Sequence, residues 1–142
     1  MRKNILVMAL ASLALGALSM AAATEATQPM PRILANARFV YVMAEDGDQF
    51  NPELLPEDRD AIGRVQDAIQ KWGKLSVVYK REEADVTLVV KARGSEDVLA
   101  VYGAHGGPSS NYLWRVMGKG GLKKGEMPLL VQFEKAWEKI AN

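Results

Sequence analysis

Hydrophobic and polar positions recur along the chain with two different periods, which separate strands from helices. Residues 38–43, 75–80 and 85–91 alternate with a period of two and are rich in β-branched and aromatic side chains, which predicts strands. Residues 97–102 and 112–117 have the same character. The sequence therefore predicts about five strands, and the first is apolar on both faces, as expected for a strand inside a sheet.

Two segments show instead the 3.6-residue period of an amphipathic helix. The first runs from Pro56 to Trp72 and is followed by Gly73, and the second starts at Pro128. Proline suits the first turn of a helix, where its missing N–H needs no partner, and a glycine after the last turn accepts left-handed backbone. The same spacing assigns Trp72 and Trp137 to the apolar stripes of the two helices and hence to the core.

The predicted order of elements is β-α-β-β-β-β-α. A strand, a helix and a second strand in succession predict a right-handed crossover, with the helix on one face of the sheet. The later strands extend the sheet as antiparallel neighbours. We therefore predict a single α+β domain at residues 37–142, a two-layer sandwich in which a mixed sheet of about five strands carries two helices on one face.

Residues 1–23 have the layout of a secretory signal peptide. Arg2 and Lys3 precede an apolar run at residues 5–18, and small residues follow it. The run is shorter than the roughly 20 apolar residues of a membrane span. We expect signal cleavage, export to the periplasm or the medium, and a proline-containing linker at residues 24–36.

Composition excludes several classes of function. The sequence has 18 basic and 17 acidic residues, so we expect neither nucleic-acid binding nor attraction to anionic lipid, both of which need a concentrated basic surface. Cysteine is absent, which excludes disulfides, thiolate metal sites, a cysteine nucleophile and a lipidated N-terminal cysteine. We expect no cofactor, and no membrane span after signal cleavage.

The acidic loop Glu45–Asn51 after the first strand is a candidate cation site. Asp46 and Asp48 have the spacing of the first and third ligands of an EF-hand. The pattern then departs from the motif, which needs an oxygen ligand at the position of Phe50 and a glycine at the position of Asn51. A strand-to-helix corner explains more of these residues, because Asp-Gly favours a turn and Asn-Pro a helix cap. A weak, irregular calcium site is the alternative.

The two glycine-rich segments, residues 103–111 (GAHGGPSSN) and 118–125 (GKGGLKKG), give little support for catalysis or phosphate binding. The single histidine, His105, lies near two serines, but the spacing matches no nucleophile motif. Neither segment runs from a strand directly into a helix with the spacing of a phosphate loop. We therefore expect no catalytic residue, and we expect Lys119, Lys123 and Lys124 to be solvated.

Trp114 and Arg115 give the clearest signal for a protein interface. They are adjacent in the last predicted strand, which can form an edge of the sheet. Aromatic residues and arginines are frequent anchors of protein interfaces. We therefore predict both as partner-binding residues, on the condition that Trp114 is exposed; otherwise it belongs to the core.

Six segments together resemble a group of small exported bacterial proteins without assigned function. The segments are DGDQFNP, LPEDRDAIGRVQDAIQKWG, REEADVTLVV, DVLAVY, LWR and GLKKGEMP, and the resemblance covers nearly all of residues 38–133. More distantly, the order of elements is similar to the N-terminal domain of TolB and to the outer-membrane activators of penicillin-binding proteins. The wider resemblance implies binding of other proteins and no catalysis, and the missing lipidation cysteine departs from its anchored members.

Together these observations predict a non-catalytic exported protein of the bacterial cell envelope that acts as a protein-interaction module. The contact with the partner would use a sheet edge or the loop at residues 103–111. The alternative is a small-ligand or cation-binding protein that uses the Glu45–Asn51 loop.

Overall fold

The computed structural model describes residues 28–92, 95–104, 110–123 and 125–141. The predicted signal peptide, His105 and Lys124 lie outside them. The described residues form β1 (Phe39–Ala44), α1 (Pro56–Trp72), β2 (Ser76–Val78), β3 (Val86–Lys91), β4 (Asp97–Gly103), β5 (Trp114–Gly118) and α2 (Pro128–Ala141). Two short 3₁₀ turns, Arg32–Asn36 and Arg81–Glu83, precede β1 and β3.

The strands form one mixed sheet in the order β2-β1-β3-β4-β5. β1 is parallel to both β2 and β3, whereas β4 is antiparallel to β3 and to β5. α1 follows β1 and precedes β2, as a crossover between parallel strands requires. The predicted α+β class, with a five-stranded mixed sheet and two helices in the predicted order, is confirmed.

The helical layer covers one face of the sheet. Alternate strand residues, among them Val42, Leu88 and Val101, form one buried cluster with Ile62 of α1 and Phe133 of α2. The intervening strand residues form a second, smaller cluster on the other face. We call that other face the helix-free face, because neither α1 nor α2 contributes a residue to its cluster.

Phe133 of α2 is the centre of the larger cluster. Its ring centroid lies 6.1 Å from those of Trp72, Trp114 and Trp137. The contacts with Trp72 and Trp114 are edge-to-face, the arrangement that the ring quadrupole favours. One side chain therefore joins α1, β5 and α2.

Two buried aspartates fix loops to the body of the domain. Asp58, in the first turn of α1, accepts a hydrogen bond of 3.0 Å from the backbone N–H of Ala92. Asp97, at the start of β4, accepts one of 2.8 Å from the backbone N–H of Leu122. Both side chains are almost fully buried, so each carboxylate satisfies a backbone donor away from water.

The last part of the predicted linker, residues 24–36, packs onto the domain. Met30 and Leu34 are 3% and 4% exposed and are part of the larger cluster. The turn Arg32–Asn36 packs against α2. Two buried residues, Met30 before the turn and Leu34 within it, are too few to give the sequence a recognisable period.

None of the helices in the described residues is both long and apolar enough to cross a membrane.

Two glycines provide opposite tests of the packing. A Cβ on Gly63, inside α1, would meet no atom within 4 Å, so Gly63→Ala should raise the free energy of unfolding by roughly 0.5–1 kcal/mol through helix propensity. A Cβ on Gly121 would lie 2.8 and 2.9 Å from the Cδ atoms of Leu129, which is fully buried. Gly121→Ala should therefore destabilise by about 1–3 kcal/mol. Urea unfolding measures both changes, and equal effects would contradict the packing around Leu129.

Candidate interaction cleft on the helix-free face

The acidic loop forms a corner between β1 and α1. Asp48 accepts a hydrogen bond of 3.0 Å from the Tyr41 hydroxyl through Oδ2 and one of 2.9 Å from the backbone N–H of Phe50 through Oδ1. The Asn51 side chain donates to the carbonyl of Asp46 at 3.1 Å. These side chains hold the backbone of their own loop.

A calcium ion needs six to eight converging oxygen ligands, and this loop does not assemble them. Across residues 28–92, 95–104, 110–123 and 125–141, no group of three or more His, Cys, Asp or Glu side chains could hold a metal ion. Arg59 closes the loop onto α1 by donating a hydrogen bond of 2.7 Å to the carbonyl of Asn51. The geometry gives the calcium alternative at Asp46 and Asp48 no support.

Trp114 and Arg115 lie on opposite faces of β5. Trp114 is 1% exposed and contacts Phe133 in the core, so the condition for its partner-binding role is not met and it belongs to the core, where the helical layer encloses its indole ring. Arg115 is exposed, and its guanidinium carbon lies 5.6 Å from the ring centroid of Tyr112. This cation–π contact holds the charge at the surface.

Arg115 and Glu45, which are far apart in the sequence, line the same cleft on the helix-free face. The cleft has a volume of about 140 Å³. Three small aliphatic residues contribute to its lining, and charged and tyrosine side chains supply the rest. The lining residues are Glu45, Val89, Lys91, Val98, Ala100, Tyr102, Tyr112 and Arg115.

The charges of the cleft are accessible to a partner. Lys91 Nζ and Glu45 Oε2 are 3.0 Å apart, and the two side chains are 44% and 48% exposed. An ion pair this exposed contributes about 0–1 kcal/mol, so a partner can replace it at little cost. With Arg115 included, the cleft has two cations and one carboxylate, and its charge favours an acidic group.

Tyrosine hydroxyls add neutral hydrogen-bonding groups to this face. Burial, followed by the nearby Glu45 carboxylate, raises the pKa of Tyr102 above its ordinary value. Burial and the hydrogen bond to Asp48 raise the pKa of Tyr41 to about 12. Both hydroxyls are therefore protonated at neutral pH. Tyr41 and Tyr102 lie opposite Thr87 of β3, in one row across three strands.

Only weak signals in the sequence point to Lys91, Tyr102 and Tyr112 as residues of the cleft. Lys91 ends an otherwise apolar strand, and Tyr112 lies three residues before Arg115, which are weak signals. Tyr102 shares the face of Arg115 only because β4 and β5 pair with Ala100 opposite Arg115. The register between the strands, which cannot be read from the sequence, brings these residues together.

Comparisons with known proteins add little to this geometry. No family model and no curated protein matches the chain. Among solved structures, the chain is similar to a PelC dodecamer from Paraburkholderia phytofirmans, with a TM-score of 0.36 and 13% sequence identity over 73% of this chain and 82% of the PelC chain. A similarity this weak supports no conclusion about function.

Stability should fall at alkaline pH, in part through Tyr41. In the unfolded chain this hydroxyl ionises at its ordinary value of 10, and in the folded protein at about 12. The stabilisation is therefore complete below pH 10 and is lost as the pH rises from 10 to about 12. Tyr41→Phe should show a smaller loss of unfolding free energy over this range in urea titrations. An identical pH dependence of both proteins would contradict the assignment.

Calcium should leave the melting temperature unchanged. A site filled at roughly 100 times its Kd would add about 2.7 kcal/mol to the free energy of unfolding, which a thermal melt detects readily. The measurement compares melts with calcium, with magnesium and with neither ion. A rise specific to calcium that Asp48→Asn abolishes would overturn the assignment of the loop as a corner.

Proposed function

We propose that this protein is a non-catalytic, exported interaction module of the bacterial cell envelope that binds a protein partner through the cleft on its helix-free face. The observation that carries the proposal is the exposed Arg115 guanidinium, which lies over the Tyr112 ring at this cleft. Arginine and tyrosine are enriched at the centres of protein interfaces. The predicted signal peptide at residues 1–23 supports export.

The size of the cleft favours a side chain of a larger partner. Pockets that enclose small molecules usually have volumes of about 300–1,000 Å³, whereas this cleft has about 140 Å³. One side chain fills such a volume, and the surrounding surface is left for the rest of the partner. A protein therefore fits the cleft better than a free metabolite.

The chemistry of the cleft favours an acidic side chain. Val89, Val98 and Ala100 offer apolar contact to its methylene groups, and Arg115 and Lys91 offer charge to its carboxylate. An arginine can bind a carboxylate with two parallel hydrogen bonds. The incoming carboxylate would take the place of Glu45 beside Lys91, or would bind Arg115 directly.

The cleft also borders an edge of the sheet. β5, which carries Arg115, is the last strand in the order β2-β1-β3-β4-β5. Terminal strands present backbone N–H and C=O groups that an extended peptide can pair with. A partner anchored at Arg115 is therefore placed to contact the edge of β5.

Photo-crosslinking in intact cells tests the location of the interface. A photoreactive amino acid at Tyr112 should give a discrete adduct with a partner protein. The same amino acid at Tyr79 is the matched control, because the two tyrosines are 43% and 48% exposed and Tyr79 follows β2 at the opposite end of the sheet. Adducts from both positions, or from Tyr79 alone, would contradict the proposal.

A charge reversal tests the role of the guanidinium. Arg115→Glu should abolish the adduct formed at Tyr112, because it replaces an attractive charge with a repulsive one. Lys74→Glu makes the same change of net charge at an exposed position just before β2 and should leave the adduct intact. If the Tyr112 adduct survives Arg115→Glu, the cleft is not the partner site.

A further inference from the structure

A second concave surface lies between the two helices, across the sheet from the cleft. We call it the interhelical groove, and its volume is about 580 Å³. α1 and α2 both pack on the sheet, but their backbones make little contact with each other. The ring contact between Trp72 and Phe133 bridges them. A long depression is therefore left between the helices.

The walls of the groove are two helical stripes. α1 contributes the positions Arg64, Asp67, Ala68, Lys71 and Trp72, which recur at steps of three and four residues. A similar stripe begins at Met127, just before α2, and continues on that helix through Leu130, Val131 and Glu134. At a rise of about 1.5 Å per residue, the α1 stripe is about 12 Å long, which matches two turns of a bound helix.

The groove combines apolar contact with accessible edges. Met127 and Leu130 are buried at its base, whereas Trp72 is only partly buried and Val131 is 37% exposed. The exposed part of Val131 and the indole of Trp72 are apolar surface that a partner can cover. Recognition of amphipathic helices uses grooves of this kind.

Carboxylates outnumber cations around the groove. Asp67, Glu126 and Glu134 line it, and Glu138 adjoins it by accepting a 3.4 Å hydrogen bond from Trp72 Nε1. Of the two basic residues, Arg64 is already engaged, because its Nε and Nη2 donate to the carbonyl of Leu122 at 3.0 and 2.9 Å. The groove is therefore complementary to a positively charged occupant.

Two carboxylates lie close together on the wall formed by α2. Glu134 and Glu138 are four residues apart on one helix, where like charges repel. Burial, followed by Glu138, raises the pKa of Glu134 above its ordinary value. A cation at this wall would relieve the repulsion and could also lie against the Trp72 ring.

We propose that the interhelical groove binds an amphipathic helical segment of a partner protein that has a lysine or arginine beside its apolar side chains. The apolar residues would cover Trp72 and Val131, and the cation would pair with Glu134. This inference is independent of the cleft, which lies on the other face of the sheet.

Binding of two designed peptides tests the proposal. The probes are fluorescently labelled 14-residue helices with leucine at core spacing, one with lysine and one with glutamate at all other positions. Fluorescence anisotropy should show the leucine–lysine peptide binding at least about tenfold more tightly, an advantage of about 1.4 kcal/mol. Equal binding of the two peptides, or binding of neither, would overturn the proposal.

Three variants locate the binding. Glu134→Gln should weaken binding of the leucine–lysine peptide, and Glu134→Lys should weaken it further. Glu96→Lys is the control, because it makes the same charge change at an exposed position just before β4. If Glu96→Lys weakens binding as much as Glu134→Lys, the peptide responds only to net charge and the groove is not its site. Circular dichroism and thermal melts establish that each variant is folded.

Discussion

The packing of Phe133 against three tryptophans is the interaction on which the rest of the structure depends. Phe133 holds α2 against α1 through Trp72 and against β5 through Trp114, and it also contacts Trp137 within α2 itself. Because residues alternate between the faces of a strand, the burial of Trp114 under α2 turns Arg115 to the helix-free face. The ring contact with Trp72 also bridges the two helices and leaves the groove beside it.

The two candidate surfaces therefore follow from one core and are physically separate. The cleft is small, has excess positive charge and includes the exposed Arg115 of a terminal strand. The groove is larger, has excess negative charge and lies between the second half of α1 and the first half of α2. Surfaces of opposite charge on opposite faces of one sheet can select partners of different chemistry without competing for space.

Local signals explain which parts of the fold were predictable. α1 has the bounds that Pro56 and Gly73 indicated, and Gly73 has the left-handed backbone, with φ of 78°, that ends the helix. β2 is shorter than predicted, because the chain leaves the sheet after Val78 and turns at Arg81–Glu83. Met30 and Leu34, the second of which lies in the short 3₁₀ turn, belong to the core without a sequence signal, since two positions are too few to establish a period.

The sequence by itself determined the types and order of the strands and helices, because periodicity and capping residues act over a few neighbouring positions. It also indicated Arg115 as a possible contact and the acidic loop as a corner. Only the tertiary structure decided that Trp114 is enclosed and that Glu45, Lys91 and Arg115 share one cleft. Both features depend on the strand register and on which face of the sheet the helices cover. Packing between segments that are distant in the chain sets the register and the covered face.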